Sequence, residues 1–495
     1  MEVKFSKKQM RCLRPIMRQV HSQEQTMEVR IPDAYPDIGK VLGCWGQPVI
    51  RGKEWRYNGI SANGGVMCWV LYAPEDGTQP RVVDAWIPFQ CRWDFTENTD
   101  NGTIILRPIL SNMDGRSISA RKMMLRAEIE TMAQAMEAVN LELAEPKDVP
   151  EDIQLLKTRY PVDLPVEAGE KQVQLEEKLQ LPAGNPPVHK IVRYTLNPAV
   201  TEQKVLSNRM VFRGVAELQL LYLTEEGQLH TWSTEIPFSQ YTDLDKEYDQ
   251  NAKAWVLPIV TALEMDIAED GNLQLHAGIA AQYLIFGNTI FEIVEDAYSP
   301  KREVTPQFEE LKIPILLDGG TVELQAEATK PGMFDRIISI DSQASFPKRN
   351  GMGIDLNGNF QMLYQGEDGQ LQGDMIGFQS DAPYLSDNDN DTELWLGPGS
   401  QPEYMPDTDG MRLTCRYFVT THVYSGKPIT FVSGLELGEF RETDANHPSI
   451  ILRRAGEEGL WSIAKRSGST MDAIRDVNHL SSEPEKGQML LIPVL

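Results

Sequence analysis

An internal repeat with a spacing of about 150 residues constrains the fold of this 495-residue chain more than any other feature. Each copy has a Leu-Tyr pair, a glycine five positions after the tyrosine with two acidic residues before it, and then an Ile-x-Phe triplet. The copies are Leu71–Gly77 with Ile87–Phe89, Leu221–Gly227 with Ile236–Phe238, and Leu363–Gly369 with Ile376–Phe378. Their tyrosines lie 150 and 142 residues apart. Self-similarity on this scale indicates repeated domains, because a solenoid repeats over far fewer residues.

Each copy has the pattern of a β-hairpin. Residues 216–222 alternate between apolar and polar side chains, which is the period of a half-buried strand. The acidic pair and the glycine are turn residues, since glycine adopts positive φ freely. The proline of the Ile-Pro-Phe triplet predicts an edge strand or a strand end, because proline cannot donate to a ladder. We interpret Tyr72, Tyr222 and Tyr364 as core residues, with ligand stacking as the alternative.

The repeat predicts a mainly β protein with a small α+β domain at the end. Residues 122–141 are rich in Ala, Met and Glu, as helices are, but the repeat places strands there and we predict strands. An acidic, proline-containing connector follows the first copy at 145–152. The predicted domains are 1–145, 165–300, 301–440 and 449–495.

Composition excludes several classes of function. With 72 acidic and 47 basic residues the net charge is -25, which opposes binding to nucleic acid or to an anionic membrane. No stretch of about 18 apolar residues predicts a spanning helix, and no signal peptide is visible behind the first residues. The five scattered cysteines predict reduced thiols in a cytosol, most of them buried, and they are Cys12, Cys44, Cys68, Cys91 and Cys415.

A doubled Pro-Asp pair lies near the start of the chain, within residues 31–42. Pro32-Asp33 and Pro36-Asp37 are four residues apart and lead into Val41-Leu42. Each proline stiffens the backbone and each aspartate favours a turn, so the segment is a rigid entry into a strand. It resembles the PDxxPDIxxVL motif that opens the SPOCS domain of spore-coat and spore-envelope assembly proteins.

The resemblance extends over roughly 430 residues, because the three hairpin copies match the same architecture. The second copy has no Pro-Asp doublet, and the third has Gly377 in place of the triplet proline. Three tandem SPOCS domains, the third diverged, are therefore expected. The chain as a whole resembles the SipL- and SpoVID-like family of spore-envelope proteins, which implies a non-enzymatic scaffold.

The last fifty residues predict a compact βααβ unit. Leu460, Ile463 and Ala464 form one apolar face of a short helix that stops at Gly468. Ser469 and Asp472 resemble a capping box that starts a second helix, which ends near Asn478. A final strand follows at 487–493.

This module resembles a LysM domain. The match rests on Leu460-Trp461-Ser462-Ile463-Ala464, on Asn478, and on the closing segment 487–493. LysM domains bind N-acetylglucosamine chains in a groove between the loop before helix one and the loop after helix two. The first loop, normally Gly-Asp-Thr, reads Glu457-Glu458-Gly459 here, and the aromatic residue that usually leads strand one is missing. Added bulk and charge oppose a sugar in that groove.

The family resemblance implies that this LysM domain docks the spore-coat morphogenetic ATPase of the coat basal layer, on the mother-cell side of the forespore surface. The alternative is a peptidoglycan-binding module. We expect the docking face at the most exposed groove residues, which are Glu457, Glu458, Gly459, Leu460, Asn478 and His479.

No pattern of catalytic residues or metal ligands stands out. Asp387–Asp391 alternates oxygen ligands as a calcium loop does, but Thr392 and Pro398 stand where an EF-hand needs Gly and Glu. A solvated acidic loop is the preferred interpretation. The seven histidines form no HExxH motif, and neither a P-loop nor a GxSxG motif occurs. We therefore predict neither enzyme activity nor a cofactor nor a metal.

Overall fold

The computed structural model describes residues 2–351, 353–384, 390–408, 410–441 and 448–495. Within them the chain is mainly antiparallel β, with two short helices near its C-terminal end, which confirms the predicted fold class. No helix of the described residues is long and apolar enough to cross a membrane. The elements are β1 Glu2–Lys4, β2 Ser6–Arg30, β3 Ile38–Arg56, β4 Gly59–Pro74, β5 Arg81–Asp94, β6 Thr103–Ser119, β7 Lys122–Glu145, β8 Gln154–Leu179, β9 Lys190–Leu206, β10 Arg209–Leu223, β11 Leu229–Asp243, β12 Lys253–Ile267, β13 Leu273–Tyr298, β14 Arg302–Leu311, β15 Leu316–Pro331, β16 Phe334–Ala344, β17 Lys348–Asn350, β18 Gly353–Gly366, β19 Leu371–Pro383, β20 Asp391–Gly399, β21 Glu403–Asp407, β22 Gly410–Tyr424, β23 Ile429–Phe440, β24 Ile450–Arg454, α1 Leu460–Arg466, α2 Met471–Asn478 and β25 Met489–Pro493.

Three successive groups of strands share one order, and we call them unit one (β2–β7), unit two (β8–β13) and unit three (β14–β23). In each unit the long first strand pairs with the last hairpin, and the strands between them form a meander. The orders are β2-β7-β6 with β3-β4-β5, β8-β13-β12 with β9-β10-β11, and β15-β22-β20 with β16-β18-β19. In unit three the long pairing is broken into β15–β22 and β14–β23. The predicted domain limits stay a prediction, although β8 begins at Gln154, ahead of the predicted start at residue 165.

The predicted hairpins are present in all three units. The turn glycines Gly77, Gly227 and Gly369 have φ of +73°, +80° and +74°, conformations that residues with a Cβ rarely adopt. The triplet prolines lie on β5 and β11, which are edge strands, as predicted. Residues 122–141 lie in β7, so the strand interpretation is confirmed and the helical composition is overridden. Every second side chain of β7 enters the core, and only a strand places alternate residues on one face.

The three repeat tyrosines are core residues, as predicted, and are 0%, 0% and 6% exposed. The Tyr72 hydroxyl donates to the carbonyl oxygen of Pro36 at 3.0 Å, and Tyr222 donates to that of Pro186 at 3.1 Å. Pro186 therefore takes the place of Pro36 in unit two, even though the Pro-Asp doublet is absent there. The Pro-Asp motif positions the backbone that the buried tyrosine needs as an acceptor.

The units close into a ring around a shared core. Strand β3 of unit one packs on β12 of unit two, β9 of unit two on β20 of unit three, and β16 of unit three on β6 of unit one. One apolar cluster draws side chains from all three units, including Ile105, Trp255 and the fully buried Trp395. Burying one such side chain contributes roughly 1.5–3 kcal/mol, so this shared core holds the units together.

Three buried polar residues occupy corresponding places on the central strands of the ring: Gln134 on β7, Gln282 on β13 and His422 on β22. Gln134 donates to Glu393 of unit three at 2.5 Å, and Gln282 exchanges two hydrogen bonds with the backbone of Leu106 in unit one. The His422 ring packs edge-on against Trp255 of unit two. Each unit thus makes a specific contact with a neighbour through the same position.

The first strand of the chain completes a sheet of the last unit. Backbone pairing joins β1 to β23, with Val3 opposite Leu435, and β14 lies on the other side of β23. The five cysteines are buried and free, as predicted. Burial raises the pKa of Cys12 to about 11 and that of Cys68 to about 12.

Candidate LysM binding groove

The C-terminal module folds as the predicted βααβ unit, with β24 antiparallel to β25. Leu460, Ile463 and Ala464 are buried on one face of α1, as their spacing predicts. The predicted cap of α2 is wrong by one residue, because Thr470 and not Ser469 accepts from the N–H of Ala473, at 3.1 Å. The Ser469 side chain is buried instead.

Two of the predicted docking residues are structural. Leu460 is completely buried, so the prediction that it is exposed in the groove is wrong. The cause is its place on the apolar face of α1, where it belongs to the core of the module. Asn478 is half-buried, and its amide bonds both the N–H and the C=O of Leu491, at 2.8 and 2.6 Å. These bonds attach the end of α2 to β25, which also corrects the prediction that Asn478 is among the most exposed groove residues.

The remaining predicted residues lie on the surface of the two loops. Glu458 is half-buried and forms ion pairs with Arg453 and Arg466, at 2.6 and 2.9 Å. Glu457 and Gly459 are exposed. His479 is exposed and has φ of 53° at the C-cap of α2. Their role in binding a partner stays a prediction.

Two contacts bridge the groove between the loop before α1 and the loop after α2. Glu483 Oε2 accepts from the backbone N–H of Leu460 at 2.6 Å, and Lys486 Nζ lies 2.6 Å from Glu457 Oε1. The N-cap of α1 is Gly459, which has no side chain to accept a helix N–H. The Glu483 carboxylate supplies that acceptor from the opposite loop. Sequence reasoning missed Glu483 and Lys486, although a helix that starts at glycine without an acidic first turn needs such a partner.

The module is held against the end of β13 in unit two. Asp296 accepts from Trp461 Nε1 at 2.8 Å and forms an ion pair with Lys465 at 2.7 Å. The Tyr298 hydroxyl donates to the carbonyl oxygen of Ser469 at 3.0 Å, and its ring packs edge-on against Trp461. Burial raises the pKa of Tyr298 to about 12. The face of α1 that carries Trp461 is therefore occupied by unit two.

The outer face of the β24–β25 sheet is exposed and mostly apolar, with Arg454 at its end opposite Met489. It points away from the two helices, because the alternate residues Leu490 and Ile492 are buried beneath them. Four side chains form this outer sheet face, with exposures of 55%, 62%, 48% and 42%: Ile450, Leu452, Met489 and Leu491. Exposed apolar patches of this kind mark interaction sites more often than chance placement does.

The acidic segment Asp387–Asp391 falls largely outside the described residues, which resume at Asn390. Asp391 forms an ion pair with Arg18 at 2.6 Å. Among the residues that the structure describes, no group of three or more His, Cys, Asp or Glu side chains is placed to hold a metal ion.

Comparison with known protein families agrees with this architecture. Residues 187–267, within unit two, match the family described as "SipL, SPOCS domain", and residues 457–493 match the LysM domain. No curated protein and no solved structure matches the chain. Both matched domains are non-catalytic binding domains. Their combination, a SPOCS domain followed by a C-terminal LysM domain, is that of a SipL-like protein and fits a sporulation-related or peptidoglycan-binding role.

Proposed function

We propose that this protein is a non-enzymatic scaffold of spore-envelope assembly, whose LysM domain docks the coat basal-layer morphogenetic ATPase on the mother-cell side of the forespore surface. Units one and three are taken as further copies of the SPOCS domain that is matched in unit two, the third diverged. The same strand order in all three units supports that assignment. Weak contacts from several modules gain avidity when they meet one polymerised surface.

The bridged groove is the observation that carries the choice of a protein partner over a sugar. A glycan chain would have to displace the Glu483 carboxylate from the N-terminus of α1 and break the Glu457–Lys486 ion pair. Displacing the carboxylate leaves the N–H of Leu460 without its acceptor, at a cost of about 1–3 kcal/mol. The outer sheet face has no such obstacle and offers an apolar surface to a protein. The exposed Glu457 and the half-buried Glu458 form the charged rim beside it in this proposal.

Capture of the purified ATPase by the immobilised full chain tests the proposal. Leu452→Asp places a charge in the middle of the outer sheet face, and we expect at least a tenfold loss of capture. Leu206→Asp, at a residue that is 48% exposed on unit two, is the matched control and should retain capture. A chain that lacks residues 449–495 should not bind. Undiminished capture after that deletion would rule the proposal out.

Peptidoglycan binding is the second candidate, and the LysM match favours it. It predicts that the full chain sediments with purified peptidoglycan and is released by chitin oligomers. Under the scaffold proposal the wild-type chain stays in the supernatant. Glu483→Ala removes the bridge and tests whether the groove alone prevents binding. Wild-type sedimentation that chitin oligomers abolish would favour the glycan function over the docking function.

A further inference from the structure

A cavity of about 190 Å³ lies where the three units meet on the axis of the ring. Each unit contributes one segment of its first meander strand and one segment of the strand that begins its last hairpin. The meander segments are 45–48, 193–198 and 341–344, and the hairpin segments are 107–110, 259–260 and 396–400. The cavity is therefore formed only by the closed ring, and no single unit contains it.

Two arginines and one aspartate line this axial cavity. Arg193, which is 4% exposed, donates through Nη2 to Asp341 Oδ1 at 2.5 Å, and its guanidinium lies over the Trp45 ring. Its Nε is buried and makes no hydrogen bond to any part of the chain that the structure describes. Arg107 donates through Nη1 to the carbonyl oxygen of Pro258 at 3.3 Å, and its buried Nε likewise makes no hydrogen bond there.

The charges of the axial cavity do not cancel. Asp341 balances Arg193, whereas no carboxylate among the described residues lies within ion-pair distance of Arg107. Burial lowers the pKa of Arg107 to about 10, so the guanidinium stays protonated at neutral pH. Burying a charge without a counter-charge is strongly unfavourable. An anion in the cavity would supply both the missing charge and the acceptors that the two Nε–H groups lack.

We propose that the axial cavity binds one small oxyanion, a phosphate or a carboxylate, through the guanidinium groups of Arg107 and Arg193. A cavity of about 150 Å³ accommodates a benzene-sized molecule, so this one has room for a phosphate ion or a short dicarboxylate. Because the lining comes from all three units, the bound anion stabilises the closed ring. This inference is independent of what the LysM domain docks.

Isothermal titration of the full chain with inorganic phosphate, and separately with succinate, tests the proposal. We expect saturable binding of one anion per chain in at least one of the two titrations, and the stronger of them identifies the chemical class. The same anion should raise the Tm progressively with its concentration, since a ligand that binds only the folded state stabilises it by mass action. Sodium chloride at matched ionic strength should leave the Tm unchanged. Absence of saturable binding with both anions would overturn the proposal.

Arg107→Gln removes the unbalanced charge, and we expect at least a tenfold loss of anion affinity together with loss of the anion-dependent rise in Tm. Arg116→Gln is the matched control, because Arg116 is an exposed arginine on the same strand, β6. It should bind the anion as the wild type does. An anion-dependent rise in Tm that is equal in R107Q and in the wild type would show a general salt effect and refute the site. If R107Q does not fold, R107K takes its place, because lysine keeps the charge but not the Nε–H donor.

Discussion

The buried carboxylate of Glu393 gives the sharpest test of how the ring is held together. Glu393 is 0% exposed and accepts from Arg18 of unit one at 2.8 Å and from Gln134 at 2.5 Å. Burial pushes the pKa of Glu393 upward, but the hydrogen bond from His422 and the charge of Arg18 bring the net pKa below its ordinary value. The carboxylate is therefore ionised at neutral pH and depends on partners from another unit.

Arg18→Met removes the cation that unit one supplies to the buried carboxylate. Breaking a buried ion pair in this way costs about 3–5 kcal/mol. The entropy of unfolding is about 2.1 cal/mol/K per residue, and roughly 440 residues unfold together. A loss of about 4 kcal/mol in the free energy of unfolding therefore lowers Tm by about 4 °C. Differential scanning calorimetry at pH 7 measures it. The double variant R18M/E393L should recover most of the loss, because an apolar pair of similar volume often replaces a buried ion pair without cost.

The contribution of Glu393 to the free energy of unfolding depends on pH with a definite sign. A folded pKa below the unfolded value of about 4.3 stabilises the wild type above that pH, and the contribution disappears as the pH falls through the folded pKa. In R18M the pKa of Glu393 rises, so protonation relieves the defect earlier on acidification. The gap in Tm between the wild type and R18M should narrow from pH 7 towards pH 4. A loss of less than about 1 kcal/mol in R18M, or a double variant as unstable as the sum of both single variants, would refute this account.

Three further predictions concern other parts of the molecule. Burial raises the pKa values of the five thiols, so they should react with a thiol reagent at pH 8 far more slowly in the native protein than in urea. Spectrophotometry measures the two rates, and a fast reaction of the native protein would contradict the burial of the thiols. Asp296→Ala removes the partner of Trp461 and Lys465, so hydrogen exchange in α1 should accelerate at least tenfold while unit one is unchanged. Asp152→Asn should destabilise the protein at pH 7, because the hydrogen bonds from Arg302 outweigh burial and lower the pKa of Asp152. The loss should shrink as the pH falls through the folded pKa, and a loss that does not change with pH would point to packing instead.

The strands and hairpins could be predicted from the sequence, because a two-residue period and an acidic-acidic-Gly turn are local signals. The closed ring could not. Gln134 and Gln282 are polar residues on strands, and a sequence pattern gives them no reason to be buried until a neighbouring unit supplies their partners. In the LysM domain the two helices followed from local spacing, whereas the exposure of Leu460 was misjudged and the Glu483 bridge was missed. The bridge depends on how a loop folds back over a helix end, whereas the burial of Leu460 follows from its place on the apolar face of α1.

The pairing of β1 with β23 has a consequence for how the protein is made. Val3 and Leu435 are adjacent in space but about 430 residues apart in the chain. At roughly 5–20 residues per second, a ribosome needs about 20–90 s to synthesise the intervening segment. During that interval the leading strand has no edge to join, and unit three cannot complete its last sheet without it. Pairing of β1 with β23 is therefore a late event in biogenesis, and a nascent chain interrupted before residue 430 leaves a free strand that a second copy can capture.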